Sequence, residues 1–85
     1  MTKTIHSPGQ KALIEALTSA RKEAGLSQMA LAERLHCHQS MIARIESGER
    51  RIDVVELVVL ARAIGVEANA ILDAVTAVVD EHQAL

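Results

Sequence analysis

The sequence predicts an all-α fold of five short helices, and three observations lead there. Apolar residues recur at three- and four-residue spacing in every segment between breakers, and no segment reads convincingly as a strand. The strongest breakers (Gly25, Ser47-Gly48 and Gly65) stand a helix or two apart. A chain of 85 residues supports one core, and 49% hydrophobic with 24% charged residues is globular composition. With no Phe, Tyr or Trp, that core has to be built from Ala, Val, Leu, Ile and Met.

Residues 1–9 read as a flexible N-terminal tail, and residues 10–85 as the domain. The first helix, Gln10 to Ala24, sets Leu13, Leu17, Ala20 and Ala24 on one stripe with Ile14 alongside, and Gly25 ends it. Ser27 caps the second, Gln28 to Leu35, whose inward residues are Leu31, Ala32 and Leu35. His36-Cys37-His38 separates it from the third, Gln39 to Glu46, with Ile42 and Ile45 inward and Ser47-Gly48 as the stop. Asp53 and Glu56 have capping-box spacing at the start of the fourth, which runs to Gly65 with Leu57, Leu60, Ala61 and Ile64 as its stripe. The fifth starts near Ala68 and is expected to continue to about Glu81, because neither Pro nor Gly follows Gly65. Its stripe is Ile71, Leu72, Val75, Val78 and Val79.

Charge divides along the chain. Residues 1–51 carry eight Lys or Arg against five acids, and residues 52–85 carry Arg62 alone against six acids. A basic front and an acidic back let one side approach phosphates while the other repels them; ordinary surface scatter is the competing reading. The lack of aromatic rings removes the usual stacking surface for single-stranded nucleic acid. No apolar run approaches membrane length, since Glu56, Asp73 and Asp80 interrupt the Val-rich segments. Polar residues and Pro8-Gly9 stand where a signal peptide carries its apolar stretch. A lone cysteine, Cys37, permits no internal disulfide, and a cytoplasmic location is expected.

Two short helices joined by a three-residue turn make a helix-turn-helix over residues 28–46, in which one helix braces on a DNA backbone while the next enters the major groove. Such pairs also occur in proteins that never bind DNA. The runs Arg21-Lys22-Glu23-Ala24-Gly25-Leu26-Ser27-Gln28, Leu31-Ala32-Glu33-Arg34-Leu35, Ser40 through Arg50, and Leu60-Ala61-Arg62-Ala63-Ile64-Gly65-Val66 together resemble the Xre/Cro/CI family of transcriptional regulators over about residues 10–73. The resemblance implies a lambda-repressor-like domain bound to a double-stranded, pseudo-palindromic operator. It implies base reading by Gln39, Ser40 and Arg44, and phosphate contacts from Gln28, Ser47, Arg50 and Arg51. Arg44 suits guanine O6 and N7, Gln39 suits adenine N6 and N7, and Ser40 is permissive. Arg21 and Glu46 match a structural salt bridge, where truncating one buried partner costs about 3–5 kcal/mol.

Several positions depart from the pattern. His36 stands at a turn position where Gly is usual, and His tolerates positive φ at modest strain. Consecutive His36, Cys37 and His38 point in different directions and lack a fourth ligand, so no metal is expected. Cys37 reads as a small buried hydrophobe, and His38 as a further phosphate contact. Glu49 weakens backbone affinity where a cation is common, with Arg50 and Arg51 compensating. Val55 and Val59 lie opposite the core stripe of the fourth helix. With Val75, Val78 and Val79 on residues 68–82 they suggest a homodimer through the fifth helix, although Val75 and Val79 also suit a cover over the domain's own core. A dimer sets two recognition helices about 34 Å apart.

The leading expectation is therefore a homodimeric repressor that occludes a promoter, with no room for an effector domain. The alternative is an antitoxin or accessory protein whose acidic, apolar C-terminal helix binds a partner protein. No enzyme and no cofactor are expected, since nucleophile elbow, phosphate loop and paired-carboxylate pocket are all missing.

Overall fold

The computed structural model describes residues 7–85. Their order is α1 (Pro8–Glu23), α2 (Gln28–Leu35), α3 (Gln39–Glu46), α4 (Val54–Ile64) and α5 (Ala68–Thr76), with no strand among the described residues. The architecture is the all-α, lambda-repressor-like one.

Local chemistry fixes most boundaries. Ser7 Oγ accepts from Gln10 N at 3.2 Å, and Pro8 takes the first helical position, where its missing N–H is no loss. The helix thus begins two residues before the expected Gln10: Pro8-Gly9 opens it rather than ending a tail, and residues 1–6 lie outside the described residues. Ser27 Oγ accepts from Ala30 N at 3.0 Å to start α2. At Asp53 the capping box is complete, with Glu56 N donating to Asp53 Oδ1 at 2.7 Å and Asp53 N donating to Glu56 Oε1 at 2.9 Å. Gly65 closes α4 at φ 97°, a conformation that a side chain disfavours.

The core holds Leu17, Leu31, Ile42, Ile45, Leu60, Ile64 and Ile71, all aliphatic. Ala32, 1% exposed, has the small side chain that lets α2 lie close to α3 and α4. Arg34 Nη1 donates to the Ala63 carbonyl at 2.8 Å and ties α2 to the last turn of α4. Four residues expected on core stripes are exposed: Ala24, Leu72, Val78 and Val79, the last three at 49%, 46% and 43%.

The fifth helix is shorter than expected, ending at Thr76 rather than about Glu81. Val75, Thr76, Val78 and Val79 are β-branched and weaken helix continuation. No basic residue stands in the last turn to meet the helix dipole, and Asp80 and Glu81 would oppose it. Asp80 instead organises a separate turn, its Oδ1 accepting from His82 N at 2.7 Å and its carbonyl from Gln83 N at 2.9 Å. The proposed interface valines also divide. Val55 and Val59 line a hollow with Leu35, Cys37 and Met41, whereas Val75 and Val79 line another with Gly9, Leu13 and Arg51. Gly9 permits that approach, because a Cβ there would lie 2.7 Å from Val79 Cγ2. Val75 and Val79 thus cover the N-terminal turns of α1.

Candidate nucleic-acid interface

Burial gives α3 two faces. Ile42 and Ile45 are 2% and 5% exposed and anchor the helix, while Ser40 and Arg44, one turn apart, are exposed and Gln39 and Ala43 are half-buried. No described residue engages the Arg44 guanidinium. The left-handed turn residue is His36, at φ 55° and ψ 41°, which reverses the chain after α2. His38 then caps α3: its Nδ1 accepts from Ser40 N at 3.3 Å and lies 2.9 Å from Ser40 Oγ. A backbone N–H can only donate, so Nδ1 is the acceptor and the ring proton sits on Nε2, which points away from the cap.

A polar chain fixes the two ends of the helix-turn-helix. Arg21 Nε and Nη2 donate to Glu46 Oε2 and Oε1 at 2.7 and 2.9 Å, and Arg21 Nη1 donates to the Leu26 carbonyl at 2.8 Å. Gln28 Nε2 also donates to Glu46 Oε1 at 2.9 Å, and Gln39 Nε2 donates to Gln28 Oε1 at 2.6 Å. The carboxylate only accepts, which forces Gln28 to present its NH2 group to Glu46 and its oxygen to Gln39. The pair is nearly dry, with side chains 9% and 11% exposed. Burial pushes the Glu46 carboxyl up, but hydrogen bonds from Arg21 and Gln28, with the charges of Arg21 and Lys22, hold it below its ordinary value. The Glu46 hydrogen bond likewise raises Arg21 against its desolvation.

In the loop after α3, Ser47 and Arg50, expected at phosphates, make hydrogen bonds within the protein. The Arg44 carbonyl accepts from Glu49 N at 2.9 Å, Arg50 N at 3.1 Å and Ser47 Oγ at 3.1 Å. Ser47 Oγ also lies 2.8 Å from Glu49 Oε2, so its single hydroxyl hydrogen is engaged within the loop. Arg50 forks onto Glu56, Nη2 to Oε2 at 2.8 Å and Nη1 to Oε1 at 3.4 Å, and its Nη1 reaches the Arg51 carbonyl at 3.0 Å. That hydrogen bond raises Arg50 and lowers Glu56, whose carboxyl also accepts from Asp53 N. Arg50 therefore braces the loop against α4. Arg51 is exposed and lines the α1–α5 hollow beside Leu13 and Val75.

Sequence reasoning missed the His38 cap, the Arg50–Glu56 fork and the Arg34 tie. For the fork a signal existed, two arginines just ahead of an acid already assigned to a capping box.

A helix-turn-helix family model matches residues 17–71, and an XRE-family like protein from Pseudomonas syringae pv. tomato str. DC3000 superposes with a TM-score of 0.82 at 40% identity, over 92% of this chain and 95% of that one. The chain belongs to the XRE family of helix-turn-helix proteins. The clp gene regulator ClgR from Corynebacterium glutamicum superposes with a TM-score of 0.73 at 23% identity, over 81% of this chain and 88% of that one. That likeness speaks to the fold alone. No curated protein matches by sequence. As an XRE-family member the protein is a DNA-binding transcriptional regulator, and none of its described helices is long and apolar enough to cross a membrane.

Proposed function

We propose that this protein is a cytoplasmic, homodimeric repressor that recognises a pseudo-palindromic site in double-stranded DNA through the outer face of α3. The observation that carries the reading is the division of α3 itself, where buried Ile42 and Ile45 hold the helix while Ser40 and Arg44 face solvent. Arg44 presents its guanidinium fork to guanine O6 and N7. Gln39 spends one amide hydrogen on Gln28 and keeps its oxygen and a second hydrogen, the pair that adenine N6 and N7 require. Ser40 tolerates either base. Gln28 steadies Gln39, its remaining amide hydrogen facing a phosphate, and the outward Nε2–H of His38 supplies another phosphate donor. Arg50 acts on the backbone indirectly, by fixing the loop, and Arg51 adds positive potential.

The face of α4 supports the dimer. Val54, Val55 and Val59 are 77%, 71% and 47% exposed beside a hollow of about 220 Å³ lined by Leu35, Cys37 and Met41. Of the charged groups in reach, Arg50 and Glu56 neutralise each other and only Asp53 is left over, so two copies meet there without strong repulsion. Occupancy of two half-sites by the dimer occludes a promoter, and repression follows from occupancy alone.

A fluorescence-anisotropy titration at several salt concentrations tests the reading. Duplex DNA should bind, with an affinity that falls linearly in logarithm as salt rises, and single strands should bind more weakly. Equal binding of duplex and single strands, or none at low salt, contradicts it. In sedimentation, Val59→Asp should convert the dimer to a folded monomer; an unchanged mass removes the α4 interface.

A further inference from the structure

We infer that the outer face of α5 and the turn that follows it are a docking site for a cationic, amphipathic segment of another protein. Leu72 on α5 and Val78 and Val79 in the turn after it are 49%, 46% and 43% exposed, although Val79 also rests on α1 at Gly9. Beside them lies an open hollow of about 510 Å³ whose lining mixes Val75, Val79 and Leu85 with Asp80 and Glu81. Apolar side chains left in water represent burial still to be gained.

The sign of the surrounding charge selects the occupant. No Lys or Arg follows Arg62, whereas Glu67, Asp73, Asp80 and Glu81 are all acidic. His82 is the sole basic side chain in that stretch, and its Nε2 lies 3.4 Å from Glu81 Oε1. Arg51 borders the adjoining hollow on the α1 side, which shares Val75, Val79 and Leu85 with this one, so the acids lie at the end away from α1. Phosphate backbones and anionic bilayers are repelled by such a face. A second copy is disfavoured for a different reason: a two-fold contact sets a patch against itself, here acids against acids over apolar centres. A segment with Lys or Arg flanking an apolar stripe meets both requirements, its stripe covering Leu72, Val78 and Val79 and its cations facing Asp73, Asp80 and Glu81. Because α5 packs on α1 and α4, the site leaves the outer face of α3 open, and the inference stands apart from the DNA-reading proposal.

The test uses the full chain and two fluorescent probes, an amphipathic Lys/Leu helix and a Glu/Leu helix of the same pattern, with Leu72→Gln/Val78→Gln as the variant that preserves every charge. The Lys/Leu probe should bind at least ~10-fold more tightly than the Glu/Leu probe and shift backbone amide resonances in residues 72–85. The double variant should lose about 10-fold in probe affinity while its circular dichroism and duplex-DNA affinity stay unchanged. Equal binding of the two probes, or resonance shifts confined to other helices, overturns the inference. So does a wild-type dimer that the double variant dissociates, which assigns the face to a second copy, and so does binding to phosphatidylserine vesicles through these residues.

Discussion

Replacing Glu46 with Ala removes the acceptor that the Arg21 guanidinium uses at 2.7 and 2.9 Å. It strands a cation that is 7% exposed, with the Leu26 carbonyl at 2.8 Å as its remaining described partner. Breaking a buried pair from one side costs about 3–5 kcal/mol, and the surviving Leu26 bond places this case near the lower end, about 3 kcal/mol. For a domain of this size such a loss lowers Tm by roughly 12–24 °C. With no aromatic residue to report by fluorescence, unfolding is followed by far-ultraviolet circular dichroism or calorimetry. A cycle with Arg21→Ala and the double variant isolates the coupling. Acid gives an independent readout. The Glu46 carboxyl is held below its ordinary value, so its contribution is fully present above the ordinary carboxylate range and is lost as pH falls through the lowered folded value. Glu46→Gln has no proton to gain there and should show a flatter acid limb. A loss below about 1 kcal/mol for Glu46→Ala, the size of an exposed pair, would refute the reasoning.

Asp53→Ala should cost about 1 kcal/mol in urea unfolding, because it removes the side-chain acceptor of Glu56 N; a neutral result would mean the capping box contributes nothing. His36→Gly should raise Tm by roughly 2–4 °C, the relief of a side chain at φ 55° exceeding the entropy that Gly loses; a drop of that size contradicts it. Gln28→Ala should cost about 1 kcal/mol of affinity and relax discrimination at the base read by Gln39, whereas a uniform loss across duplex sequences would reduce Gln28 to a backbone contact.

What was legible in the sequence was mostly local. Ser27, Asp53 with Glu56, and Gly65 act within one turn of themselves, and the starts of α2 and α4 follow from them. The apolar spacing of Leu31, Ile42, Ile45, Leu60 and Ile64 placed the core, because each lies on the apolar stripe of its helix and those stripes meet. The start of α1 was misread because Pro and Gly break helices in general, whereas Ser7 followed by Pro8 opens one. The end of α5 depends on a competition between weak β-branched propagation and the local turn at Asp80, which apolar periodicity does not weigh. At the candidate site the sequence supplied residue types without their commitments. It offers Arg50 and Ser47 as phosphate donors without showing that the folded loop also gives them Glu56 and the Arg44 carbonyl. His38 reads as a phosphate contact, and the sequence does not show that its position just before α3 also turns its ring onto Ser40 N.

Selection of bound duplexes from a random pool, run in parallel with wild type and Arg44→Ala, tests the central claim that the outer face of α3 reads base edges. The wild type should enrich a pseudo-palindrome with guanine fixed at one position of each half-site. The variant should lose that guanine alone, at a cost of about 1–3 kcal/mol per half-site. Identical motifs from the two proteins, or no motif from the wild type, would contradict the account.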